Sequence, residues 1–287
     1  RIKFSETVAE KGLPVEKIGY FEGSLISVVG NKLVEMDPES GKVLRSSTWK
    51  LGLSCPAVRN EYFYYLGAMD NRVHVLQADR HIQVFELAAE SDATITSIIT
   101  EDELVIFSTV AGDVICTKIL IKDNVRSGSH VKLWSFKAAD SVIGPMVKKG
   151  DKIIFASKDT NVYCLDINRK GELLWKYQTA AILDKAPNVK NDIVYQYVCG
   201  KGLIALDVNS GKLLWELKGG LSLLSESGAK SYVITDSGKL AVISKKEQKL
   251  IYSANLSGVT LHAVNVGDSK IYIGDKTGRV MCLKPVE

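Results

Sequence analysis

The chain has no adjacent cysteines and no Cys-x-x-Cys. Its five cysteines are an odd number, and no pairing suggests itself. Three of them recur at one place in a repeat, as VIC at Cys116, VYCL at Cys164 and VMCL at Cys282. Equivalent places in successive units lie too far apart for a disulfide, which needs Cα atoms within ~7 Å. They are expected to be small buried hydrophobes. The four histidines, His74, His81, His130 and His262, show no ligand spacing, so no metal is expected. No apolar run approaches the ~18 residues of a membrane span. No segment holds a 3.6-residue apolar period, so helix should be scarce. Charge is not clustered: 37 basic and 33 acidic residues are scattered, for a net +4. A nucleic-acid binder carries a basic stripe, so nucleic acid is not an expected partner. There is no Gly-x-Ser-x-Gly and no phosphate-binding loop; Gly200-Lys201-Gly202 and Gly219-Gly220 lack the strand–loop–helix context. The first residue is Arg1 rather than Met, so something is expected to have been removed before it, and the lack of a signal-peptide pattern at the start carries no information.

What is present is repetition. Tight turns recur at Gly30-Asn31, Asp70-Asn71, Gly112-Asp113, Thr160-Asn161, Lys201-Gly202, Ser237-Gly238 and Thr277-Gly278. Their spacing is 40, 41, 49, 41, 36 and 40 residues. Gly and Asn suit these positions because a two-residue hairpin turn needs positive φ. Before each turn stands a β-branched or aromatic run, such as YFYYL, LVIFS, IIFAS and IVYQY. After each stands another, such as VYCLD and LIALD. A second turn follows in several units, as Asp37-Pro-Glu-Ser-Gly41 and Asp207-Val-Asn-Ser-Gly211, where the Asp side chain can bond amides ahead of it. The fourth strand carries one aromatic: Trp134, Trp175, Trp215 and Tyr252, with Trp49 and Phe85 as looser matches.

A period of about 41 residues with four strands per unit predicts an all-β, seven-bladed β-propeller of four-stranded antiparallel blades. The whole chain, 1–287, reads as one domain. The last unit stops one strand short, and the N-terminus begins with an orphan strand, IKFSETVA. Residues 2–8 are therefore expected to complete the seventh blade, formed otherwise by 260–284, with Phe4 in the aromatic place. The long step contains an insertion between Lys118 and Val131, read as a loop.

Val162-Tyr-Cys-Leu-Asp166, Leu203-Ile-Ala-Leu-Asp-Val-Asn-Ser-Gly-Lys-Leu-Leu-Trp215 and Gly278-Arg-Val-Met-Cys-Leu283 resemble the PQQ-like, quinoprotein-type propeller repeat. The resemblance implies the fold rather than an activity, because these are turn and packing residues. PQQ-dependent dehydrogenases of the family are larger, with calcium ligands and, in many cases, a disulfide between adjacent cysteines. None of those features can be placed here. The chain looks more similar to the non-catalytic, BamB-like members.

No catalytic, cofactor-binding or metal residue is expected, and no cofactor. The expected function is a non-enzymatic scaffold that presents loops of one face to another protein, as a monomer. Two alternatives stand beside it: a quinone- or sugar-binding enzyme or its remnant, and a sensor or regulatory domain of a larger chain. Family habit implies a periplasmic or otherwise extracytoplasmic place, with cytoplasmic as the alternative. The partner site is expected in two aliphatic connections, Thr179–Lys185 and Gly219–Leu224, with Ile182, Leu183, Leu221 and Leu223 as its anchors. Leu51, Leu53, Leu256 and Val259 occupy comparable connections. Ile182→Asp together with Leu183→Asp is expected to leave folding intact and abolish capture.

Overall fold

The computed structural model describes residues 17–21, 23–29, 32–121, 129–256, 258–265, 267–275 and 279–285. The expected turns at Gly30-Asn31 and Thr277-Gly278, and the closing strand at 2–8, lie outside them. Every regular element among the described residues is a strand. They fall into seven sheets. The first holds β1–β4 (Lys17–Phe21, Ser24–Val29, Lys32–Met36, Val43–Thr48). The second holds β5–β8 (Val58–Arg59, Phe63–Gly67, Arg72–Gln77, Gln83–Ala88), and the third β9–β12 (Ile95–Glu101, Leu104–Thr109, Asp113–Leu120, Ser129–Lys137). The fourth holds β13–β16 (Val142–Lys149, Lys152–Ser157, Asn161–Asp166, Glu172–Gln178), and the fifth β17–β20 (Asn188–Lys190, Ile193–Val198, Gly202–Asp207, Leu213–Lys218). The sixth holds β21–β24 (Gly220–Ser227, Lys230–Thr235, Lys239–Ser244, Lys249–Asn255). The last has three strands, β25–β27 (Val259–His262, Ile271–Asp275, Val280–Leu283). Each sheet runs in sequence order, strand beside next strand, as hairpin turns demand.

By contact density the chain divides into two units, 1–146 with 166–172, and 147–165 with 173–287. In the first unit, β6 shows why the second strands are so apolar. Phe63 and Tyr65 face one cluster with Val75, Ile95 and Phe107, while Tyr64 and Leu66 face another with Ile26, Leu33 and Trp49. Both faces of the strand are covered, so its sequence reads as an unbroken apolar run rather than an alternation. In the second unit β22 does the same. Val233 packs with Tyr195 and Trp215, and its neighbours Tyr232 and Ile234 pack with Leu224, Ile271 and Ile273. Each such side chain contributes roughly 1.5–3 kcal/mol on full burial.

The described hairpin turns use positive φ as expected at Asn71 (67°), Gly112 (91°), Thr160 (71°) and Gly238 (67°), but the fifth turn lies one residue earlier than expected, with Gly200 at 73° in the loop and Gly202 already opening β19. In the fourth of the turns the left-handed residue is Thr160, not its neighbour Asn161. The second turn is equally regular. Asp207 Oδ1 accepts from the N–H of Ser210 at 2.8 Å and from its hydroxyl at 2.7 Å. Asp37 accepts from Ser40 in the same way, at 2.6 and 2.7 Å. The turn closes when the N–H four residues on donates to the first carbonyl, at 2.8 Å for Gly41 on Asp37, His81 on Gln77, Gly211 on Asp207 and Gln248 on Ser244.

These turns receive the tryptophans. Trp175 Nε1 donates to Val208 O at 3.0 Å, and its ring covers Gly211 so closely that a Cβ there would lie 2.6 Å from it. Trp134 repeats this in the first unit, on Ile167 O at 3.2 Å and Gly171. In these two repeats the aromatic of the fourth strand thus docks on the turn of the following repeat.

Three expectations change. The insertion after Lys118 is in part a longer hairpin, since Ile119 pairs His130 and Leu120 pairs Ser129; residues 122–128 lie outside the described residues. The stretch Gly220–Leu224 is strand β21, not a connection. Cys282 is exposed, unlike the buried Cys116 and Cys164, because β27 is the outer strand of its sheet among the described residues. Tyr252 is exposed as well, on a strand whose seven residues all face solvent.

Candidate functional site

The connection after β16 is irregular but tightly held. Thr179 N–H donates to Thr160 O at 2.9 Å, Cys199 N–H donates to Ile182 O at 3.1 Å, and the buried Gln196 side chain donates to Lys185 O at 2.9 Å. Lys201 Nζ donates to Thr179 O at 2.8 Å. These bonds fix the segment against the hairpin turns at Thr160 and Cys199–Lys201. Connection and turns therefore share one end of the second unit.

The backbone so fixed sends neighbouring side chains opposite ways. Ile182 is 65% exposed, and Leu183 is fully buried. Leu221 is half-buried against the cluster of Leu224 and Ile271, at a bulge where it has no partner in the ladder to β22. Leu223 is fully buried beside Tyr195 and Trp215. Leu183 and Leu223, expected as surface anchors, are thus core residues. A partner can reach Ile182 and the exposed side of Leu221. Leu51, Leu53, Leu256 and Val259 are likewise half-buried against core clusters.

Beside the start of β21 lies a cleft of about 370 Å³, lined by Tyr197, Lys201, Lys218, Gly219, Leu221 and Asp236. Gly202 sits at φ 125° with β20 so close that a Cβ would meet Leu217 O at 2.2 Å. Gly219 sits at φ 73° and its carbonyl accepts the Asp236 N–H at 2.8 Å. Lys185 places its ammonium 4.4 Å from the centre of the Tyr197 ring, a cation–π contact. Lys185, Lys201 and Lys218 are all exposed. Burial, and secondarily the Lys185 charge, lowers the pKa of His262 on β25. Reading the sequence missed Lys185, Tyr197, Lys201 and Lys218 as a group. The only signal was that two of them flank turn glycines.

A second cleft, also of about 370 Å³, opens in the first unit beside Phe21, Ala57, Val58, Arg59 and Ile99. Its one cation is committed. Arg59 Nη1 donates to Glu35 Oε1 at 2.9 Å and to Tyr64 Oη at 3.3 Å, and its carbon lies about 5 Å from the Phe21 and Tyr64 rings. Burial disfavours the Glu35 carboxylate, but bonds from Tyr64 and Ser24 and the charges of Arg59 and Arg45 outweigh it, so its pKa falls below the ordinary value. Burial and the Glu35 bond push Tyr64 up to about 12.

The second unit holds a comparable buried carboxylate. Glu226, whose side chain is 1% exposed, accepts from Tyr195 Oη, from Asn191 Nδ2 and from Lys245 Nζ at 3.0 Å. Tyr195 Oη also lies 2.7 Å from Ser231 Oγ. The cluster ties the fifth sheet to the sixth. Among the described residues no group of three or more His, Cys, Asp or Glu is placed to hold a metal ion. No helix among them is long and apolar enough to cross a membrane.

A family model described as outer membrane protein assembly factor BamB matches residues 123–257. Among solved structures, BamB from Moraxella catarrhalis superposes with a TM-score of 0.67 at 15% identity, over 91% of this chain and 79% of that one. KlHsv2 with loop 6CD replaced by a Gly-Ser linker gives 0.59 at 11% identity, over 92% and 90%. The computationally designed Ika8 protein gives 0.51 at 14%, over 95% and 96%. At such identities the likeness shows the fold alone, a BamB-like propeller fold. No curated protein matches the chain.

Proposed function

We propose, from the match of residues 123–257 to that family model, that this chain is a non-enzymatic scaffold that holds another protein. In this reading its seven sheets are the blades of one ring spanning residues 1–287. The observation that carries the reading is Ile182. A 65% exposed isoleucine on a connection pinned by backbone bonds is a rigid apolar knob, and such knobs anchor protein partners. The description of the family model as an outer-membrane assembly factor supports an extracytoplasmic place. A monomer without cofactor completes the proposal.

The test replaces Ile182 with a photo-crosslinking amino acid in the source cells and identifies adducts by mass spectrometry. The same label at Leu44, 53% exposed on β4, serves as control. One protein captured from position 182 and not from 44 is expected. Identical adducts at both positions, or none, overturn the reading. Pyrroloquinoline quinone with calcium should leave the melting midpoint unchanged; a rise would favour the quinone-binding alternative.

A further inference from the structure

The cleft of the first unit opens beside a broken strand. β5 pairs with β6 only at Val58 and Arg59, whereas β1 and β9 run five and seven residues. Pro56 stands just before it and has no N–H to extend a ladder. The cleft is walled by Phe21, Ile26, Ala57, Val58, Ile98 and Ile99, and only Arg59 and Thr100 bring polar side chains to it. The Thr100 hydroxyl donates its hydrogen to Arg59 O at 3.3 Å. Arg59 is committed through Nε, to Asn60 O, and through Nη1, to Glu35 and Tyr64; its hydrogen bonds among the described residues end there. Nη2 is left over. Among the described residues no buried unpartnered nitrogen belongs to Arg59, so Nη2 reaches solvent. We propose that the cleft binds an uncharged small molecule with an apolar body and one carbonyl oxygen, the oxygen accepting from Arg59 Nη2 and the body resting on Phe21, Ile98 and Ile99. This goes beyond the scaffold reading and does not rest on it.

The walls and the surrounding charges select that occupant. A volume of about 370 Å³ lies at the lower end of small-molecule sites, which span roughly 300–1,000 Å³ and are mostly apolar with a few polar groups that fix orientation. An anion fits poorly. Glu35 already offsets the Arg59 charge at 2.9 Å. Glu61, Glu101 and Asp102 stand within two residues of Arg59 or Thr100, and Asn60 Nδ2 ties the two turns together on Asp102 O at 2.9 Å. Glu103 is paired with Lys118 at 3.0 Å, and Arg45 adds a second cation near Glu35. Acidic groups therefore exceed basic ones around the cleft. A cation also fits poorly, because no carboxylate lines the cleft and the free side-chain group is a donor. A carbonyl takes the free N–H without bringing charge. The guanidinium already lies 5.2 Å from the centre of the Phe21 ring and 5.1 Å from that of Tyr64, so little side-chain freedom is lost in giving it.

The test uses the whole chain with its isoleucine δ1 methyls labelled, read by NMR. Benzylacetone is the probe, titrated to a few millimolar, the affinity open to a fragment of its size. Ile98→Val, Ile99→Val and Ile182→Val assign three methyl signals. Benzylacetone should shift Ile98 and Ile99 and leave Ile182, in the second unit, unmoved. Hydrocinnamate and phenylpropylamine keep the same body with a carboxylate or an ammonium in place of the ketone. Each should bind about tenfold more weakly, the first for its charge and the second for its lost acceptor as well. Arg59→Lys keeps a charge facing Glu35 but gives up Nη2, and should weaken benzylacetone severalfold. If that variant does not fold, the analogue series on the unaltered chain decides alone. No shift at Ile98 and Ile99, equal affinity for either charged analogue, an equal shift at Ile182, or unchanged affinity in a folded Arg59→Lys would each overturn the proposal. Crosslinking at position 182 reads the scaffold separately, so either reading can fall while the other stands.

Discussion

Gly211→Ala isolates what the tryptophan docking contributes. Gly211 sits at φ 67°, and an added Cβ would lie 2.6 Å from Trp175 Cδ2. Gly200 is its matched control, at φ 73° with nothing within 4 Å of an added Cβ. In both, alanine carries the left-handed strain of roughly 1–2 kcal/mol. A less flexible unfolded chain offsets about 0.4–1 kcal/mol of it. Only Gly211→Ala must also displace a ring that cannot move freely, because Trp175 Nε1 is bonded to Val208 O at 3.0 Å. Overpacking of that kind costs about 1–3 kcal/mol. The two variants should therefore differ by about 1–3 kcal/mol, or roughly 2–8 °C in melting midpoint for a chain of this size. Thermal melts followed by circular dichroism, with urea titrations alongside, read the difference. In a Trp175→Ala background the extra cost at position 211 should vanish, which closes a double-mutant cycle. Coincident midpoints for Gly211→Ala and Gly200→Ala would refute the docking account.

Ile182→Asp should shift stability by no more than about 0.5 kcal/mol, whereas Leu183→Asp buries an unpaired charge and should abolish cooperative folding; urea titration separates them. Glu35 has a folded pKa below 4.5, so its ionised form adds stability that is complete above that value and lost as pH falls through the lower folded pKa. Glu35→Gln should therefore lower the midpoint at pH 7 and flatten its decline below pH 4.5. Glu226→Gln turns an acceptor into an amide facing the donors Lys245 and Tyr195 and should cost about 1–3 kcal/mol, measured in urea; a wild-type midpoint would show the cluster idle. In the native state Cys199 and Cys282 should react with a thiol reagent at once, while Cys55, Cys116 and Cys164 wait for unfolding. Burial also holds the Cys116 thiol up at about 12.

The repeat was legible because its punctuation is steric. A hairpin turn forces positive φ, and Asn71, Gly112 and Gly238 stand where it does. The Asp207 turn was legible because a short carboxylate reaches amides two and three residues ahead, as it does at 3.2 and 2.8 Å. The orientation of Ile182 and Leu183 was not legible. Their segment has no period, and the carbonyl of Ile182 is fixed by Cys199, a residue seventeen positions on. The strand character of Leu221–Leu224 was hidden for a related reason. A bulge at Leu221 breaks the alternation that a reader of sequence relies on. The burial of Trp175 was legible, but its seat on Gly211 belongs to the next repeat and shows only in three dimensions.

How a charged group is held decides whether sequence reveals it. Glu35 and Glu226 are buried, and each is held by several donors, so their places are set by packing between sheets. The turn aspartates Asp37 and Asp207 accept from serines within their own turns, and that bond lowers the pKa of Asp207. The turn aspartates can be found from sequence, since their partners lie at fixed offsets, whereas Arg59 and Tyr64 on Glu35, and Asn191, Tyr195 and Lys245 on Glu226, stand 19 to 35 residues away. Lys185, Lys201 and Lys218 obey no such offset. They come from a connection, a hairpin turn and a strand end; Lys201 and Lys218 line one cleft, and Lys185 reaches the Tyr197 ring beside it because Cys199 and Gln196 bind the connection down. What the repeat explains is therefore the frame. What it leaves unexplained is the small set of side chains whose places are set by contacts outside the repeat.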